Sequence, residues 1–161
     1  MRSMKRSTVT LLLKGVLVLC ALMVAVCAFV FLPIYMGHVA EVRPDLSAWY
    51  GWMIAFGVAV ALPVWFAIGV MWRVFDDIAA GRAFTLRNAA RLRLISRLAL
   101  GDLIAVALLG IYLLFHCIMP FLVAVFGGAI FAGLLMTLTC AALSGLTQNA
   151  AELKHDSDMT I

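Results

Sequence analysis

Hydrophobic positions along this chain come in long unbroken runs, not in the alternation of a half-buried strand or the stripe of a surface helix. Four runs, at 11–32, 49–72, 98–117 and 121–146, reach the roughly 20 apolar residues that a helix needs to cross a hydrocarbon core about 30 Å thick. Polar residues gather in what lies between and at the ends. The pattern predicts an all-α fold, an integral membrane four-helix bundle forming one domain over 1–161. Pro33 is expected to end the first span, leaving a loop at 33–48 in which Ser47 caps the second. Pro63 removes one hydrogen bond inside span two and is expected to kink it. The sequence HCIMP is long enough only for a tight antiparallel connection between spans three and four.

The polar segment 73–97 has its own pattern. Nothing breaks span two until Gly81, a natural residue for the position after a helix end. Thr85 stands where a helix cap belongs, with Asn88 three residues on in a weak variant of the capping box. No further breaker follows before Pro120. The two inner helices should therefore run past the membrane by roughly 12–18 Å and meet in the turn GRAFT. Phe84 is placed to act as a hydrophobic staple against Ala89 or a neighbouring helix. On a helical wheel Arg87 and Arg91 share one edge, Arg93 and Arg97 another, and Asn88, Ala89, Leu92, Ile95 and Ser96 fill the opposite arc. Hairpin geometry then brings Asp76 and Asp77 near Arg91 or Arg93.

Composition sharpens the membrane reading. Hydrophobic residues make up 66% of the 161 positions and charged residues 12%, about half the share of an average soluble domain. The start of the chain looks like a secretory signal, but a 22-residue apolar run interrupted by Lys14 and ending FVFLP is longer than a signal core. It is read as a retained anchor. The net charge of +4 would point to nucleic acid in a soluble protein; here its distribution points to orientation. Of the 12 Lys and Arg, only Arg43 lies between spans one and two, and none lies between spans three and four. Positive loops stay cytoplasmic, so both termini, the 73–97 hairpin and the 147–161 tail are expected inside. Trp49, Tyr50 and Trp52 at one interface and Trp72 at the other fit aromatic belts. No direct nucleic-acid contact is expected.

Candidate chemistry is sparse. Lys14 and Asp102 each lie about one turn inside a span on the same side, and ionisable groups in a bilayer are functional suspects. Two readings stand: an intramembrane charge pair of structural or snorkelling kind, or part of a proton or ion path. His38, His116 and Cys117 lie towards the outer face but do not amount to a metal or haem site, and no cofactor is expected. Cys20, Cys27 and Cys140 read as small hydrophobes. Span four carries Gly128 and Ala132, then Ala129 and Gly133, small residues four apart that allow close helix approach. They serve either internal packing or a homodimer through Gly128, Ala132 and Gly133. No phosphate-binding glycine loop, HExxH or GxSxG is present, so nothing points to an enzyme.

The stretch DIAAGRAFTLRNAARLRLIS resembles the signature of a bacterial family of small four-span inner-membrane proteins of unknown function. Gly81, Phe84, Thr85, Asn88, Leu92 and Arg93 carry the resemblance, and the ending DSDMTI is similar to the family's acidic C-terminus, with Asp158, Thr160 and Ile161 in place, Met159 where Leu is usual and Asp156 where Glu is expected. The resemblance implies a bacterial inner-membrane location and a gene neighbour that is a helix-turn-helix regulator of the Xre/Cro kind. It thereby implies a membrane component that holds or releases a cytoplasmic protein. The expected working surface comprises Gly81, Phe84, Thr85, Arg87, Asn88, Arg91 and Arg93 of the hairpin with Asp158, Thr160 and Ile161 of the tail. Two alternatives stand beside it: a small transporter or transporter subunit using Lys14 and Asp102, and a membrane stress or immunity protein acting by lipid or protein contact.

Overall fold

The computed structural model describes residues 2–42, 44–116 and 120–159. Almost all of them are helical. Helix α1 (Arg2–Val26) passes through a π turn (Cys27–Phe31) into α2 (Leu32–Val42). A short 3-10 segment (Pro44–Trp49) leads to α3 (Tyr50–Ala79), followed by α4 (Leu86–His116) and α5 (Pro120–Met159). Four helical stretches are long and apolar enough to cross a membrane: Thr8–Val42, Tyr50–Ala79, Leu86–Tyr112 and Phe126–Leu153. Their outward faces carry large apolar side chains, among them Leu11, Phe31, Leu108 and Phe131. That is unfavourable in water and natural in lipid.

The first span differs from the expectation. Pro33 does not end it; the helix continues nine residues further, to Val42. Proline has no N–H, and in an α-helix its ring collides with the carbonyl four residues back. Here the preceding turn is widened: the Leu32 N–H donates to the Cys27 carbonyl, five residues back. That π register moves the backbone from under the ring, one of the local adjustments by which membrane helices tolerate proline. The widened turn also packs. Phe29 stacks on Trp65 at 5.9 Å between ring centroids, and Trp65 Nε1 donates to the Ala21 carbonyl at 3.3 Å. Ser47, expected to cap α3, instead donates to the Pro44 carbonyl within the 3-10 segment at 2.7 Å. Pro63 lies inside α3, which continues through it.

The helices pack in chain order. α1 lies against α3, α3 against α4, and α4 against α5, the most extensive of these pairings; among the described residues α5 makes no close backbone approach to α1 or α3. The α4–α5 pairing is antiparallel and regular. Gly110 faces Phe126, Leu103 faces Gly133, Ser96 Oγ donates to the Thr137 carbonyl at 3.0 Å, and Ser144 Oγ donates to the Ala89 carbonyl at 2.8 Å. On α4 these positions recur every seven residues, the spacing of helices that wind about each other. Apart from Phe126, these α5 positions are small or hydroxylated (Gly133, Thr137, Cys140, Ser144), as expected where lipid offers no hydrophobic drive and close approach must supply it.

Candidate functional site: the arginine-rich hairpin and the cavity beneath it

The 79–86 turn closes by backbone and side-chain bonds that can each be traced to a residue. At the end of α3 the Gly81 N–H reaches the Ile78 carbonyl at 3.1 Å and the Arg82 N–H reaches the Asp77 carbonyl at 2.8 Å. These are the two bonds of a Schellman ending, which needs a left-handed residue at Gly81; its φ is +75°. At the start of α4 the Thr85 hydroxyl accepts the Asn88 N–H at 3.2 Å, the expected cap. Asn88 does more than complete a capping box. It is fully buried, and its amide nitrogen donates to the carbonyls of Arg82 and Ala83 at 3.1 and 3.2 Å. Its Oδ1 accepts from Arg91 Nη1 at 3.0 Å. One side chain thus ties the turn's backbone to the first turns of α4.

Charges brace the same hairpin. Arg91 Nη1 lies 2.6 Å from Asp77 Oδ2, linking α4 to α3 as hairpin geometry requires, and Arg82 reaches the other Asp77 oxygen at 3.3 Å. The Asp77 and Arg91 side chains are 18% and 20% exposed, so this pair is shielded more than an ordinary surface bridge. Arg93 is exposed on the other edge and donates to Gln148 Oε1 of α5 at 2.8 Å. Ala89, Leu92 and Ile95 are buried, as the helical wheel has them.

Phe84 departs from expectation. It is 60% exposed, so most of the ring is open, while Ala89 is covered by α5 through Ser144 and the inner side of the turn is filled by Asn88. With Leu86 and Arg87 it forms an exposed apolar and basic surface. Asp158 lies on the helical extension of α5, while Thr160 and Ile161 fall outside the described residues.

Lys14 and Asp102 do not pair. The Lys14 ammonium binds the Asp76 carboxylate at the end of α3 and sits 4.9 Å above the Trp72 ring. The reason is reach and packing: α1 lies against α3, so Lys14 is offered the polar end of that helix and an aromatic face, whereas Asp102 belongs to α4. The sequence reading missed this partner; the signal was that Trp72 and Asp76 lie four apart on one helix face, level with the basic end of α1.

Asp102 instead lines an apolar cavity of about 360 Å³ walled by all four spans. Gly133 is already packed on Leu103 and Ala132 lines the same cavity, while Gly128 faces open space. Gly128 and Ala132, four apart on α5, are both exposed. His38 lies 3.9 Å from Glu41, both exposed, and among the described residues no three His, Cys, Asp or Glu side chains converge as metal ligands.

Over residues 4–161 the chain matches the family described as "Protein of unknown function (DUF2975)". The chain belongs to the DUF2975 family. The match covers all four DUF2975 spans, the hairpin and the tail. No curated protein and no solved structure matches the chain.

Proposed function

We propose that this DUF2975 protein is a non-enzymatic regulatory component of the bacterial inner membrane. In this reading both termini are cytoplasmic, and the protein docks a cytoplasmic partner on the 73–97 hairpin and the adjoining end of α5. The side assignment rests on the distribution of Lys and Arg. The observation that carries the docking reading is the contrast within the hairpin. Its turn is held by Gly81, Thr85, Asn88, Asp77 and Arg91, yet it leaves Phe84 60% exposed beside Leu86 and Arg87. A rigid scaffold presenting an aromatic and a cation is the form of an interface hot spot, where such anchors carry most of the binding energy. Arg93 and Gln148 join that surface to α5, which brings the acidic end of the chain to the same side.

The partner this surface fits has an apolar pocket bordered by acidic groups, and a helix-turn-helix regulator encoded beside the chain is the first candidate. The test uses the full chain in detergent and the separately purified regulator. Binding should weaken at least about tenfold when Phe84→Ser and Arg87→Glu are combined. It should survive Glu41→Lys, at the opposite end of the first span. Equal binding by the hairpin variant, or binding only to anionic lipid vesicles, removes the docking reading.

A further inference from the structure

The cavity containing Asp102 is not used by the hairpin reading. It lies between α3 and α5, which do not approach each other, and several of its lining residues are small: Ala67 on α3, Ala99 on α4, Ala129, Ala132 and Gly133 on α5. Leu17 of α1 and Pro63 of α3 complete its wall. Among the described residues the lining is apolar apart from one charged group, the Asp102 carboxylate. The nearest cations along the chain are committed elsewhere: Lys14 holds Asp76, and Arg97 is an exposed residue of α4 more than a turn away. Among the described residues Asp102 has no ion-pair partner.

We propose that this cavity binds a lipophilic organic cation, an onium or amine group on an apolar body, with Asp102 as its counter-ion. Three properties converge on that class. The volume of about 360 Å³ lies within the range of small-molecule sites. The apolar wall excludes a hydrated metal ion or a polar metabolite, which would lose its water without replacement bonds. The lone carboxylate selects positive charge, since bringing a cation beside it returns the interaction that burial took from water. Asp102 is thus a binding residue of a site distinct from the hairpin surface, and either can fail without the other.

Tetraphenylphosphonium is a suitable probe, with tetraphenylborate as an anion of the same shape. Equilibrium dialysis of the full chain in detergent should show saturable binding of the cation, one per chain, and at least about tenfold weaker binding of the borate. Asp102→Asn should lose the cation by a similar factor, Asp102→Glu should retain it, and Ala132→Phe should fill the cavity and abolish binding. Thermal unfolding of each variant separates lost binding from lost fold. The proposal is overturned by unsaturable binding, by equal binding of the two ions, or by an Asp102→Asn protein that binds like the wild type.

Discussion

Removing the fully buried Asn88 amide would leave the half-buried carbonyls of Arg82 and Ala83 and the Arg91 guanidinium each without a bond they now have. An unsatisfied buried polar group costs about 1–3 kcal/mol, so Asn88→Ala should lower the unfolding temperature of the detergent-solubilised protein clearly. Phe84→Ala, at an exposed position a few residues away, should stay within about 0.5 kcal/mol of the wild type. The Asp77–Arg91 pair gives a second measurement. Either Asp77→Arg or Arg91→Asp should destabilise by about 2 kcal/mol, the scale of a hydrogen bond to a charged group, and the exchanged double variant should recover part of the loss. Recovery is partial because Asn88 Oδ1 accepts from Arg91 and has nothing to accept from an aspartate. An exchange that adds the two losses would mean the pair is not coupled. The helical wheel placed Asn88 and Arg91 correctly. It could not assign the Asn88 donors, since the two carbonyls become available only once Gly81 turns the chain to positive φ.

At the scale of elements, spans three and four were readable because their apolar length and the short link between them leave one antiparallel solution. Span one was misjudged at Pro33 because no residue pattern announces a π turn; the turn is a response of the backbone to the proline ring, packed through Phe29 on Trp65. The small residues of α5 were legible as a close-packing signal but not as to which neighbour they meet, and the structure divides them. A Cβ at Gly110 would lie 3.1 Å from the Phe126 ring, which is held by its own helix, whereas Gly128 faces nothing within 4 Å. Gly110→Val should therefore cost about 1–3 kcal/mol by overpacking the α4–α5 seam. Gly128→Val should leave unfolding unchanged. If Gly128→Val alone shifted the protein from a larger to a smaller species in analytical ultracentrifugation, that open face would be a contact between copies after all.

At the scale of the molecule, orientation joins the separate features into one arrangement. Apolar runs were enough to foresee four helices long enough to span, and the charge asymmetry predicts 73–97 and both ends on one side. The order of packing and the cavity were not foreseeable, because they depend on which faces meet in three dimensions and not on how oily each run is. The structure supplies a ruler for the orientation. Lys14 is level with Trp72 at the basic end of the bundle. About 20 helical residues cross the hydrocarbon core from there, which puts His38 and Glu41 beyond the far face. A chain whose 4 cysteines are replaced, carrying either His38→Cys or Arg87→Cys, tests the arrangement with a membrane-impermeant maleimide. In intact spheroplasts position 38 should label and position 87 should not; in inverted vesicles the pattern should reverse. Labelling of both positions from one side would mean that the second span, which separates them, does not cross. The opposite pattern would put the arginine-rich hairpin outside the cell, out of reach of any cytoplasmic partner.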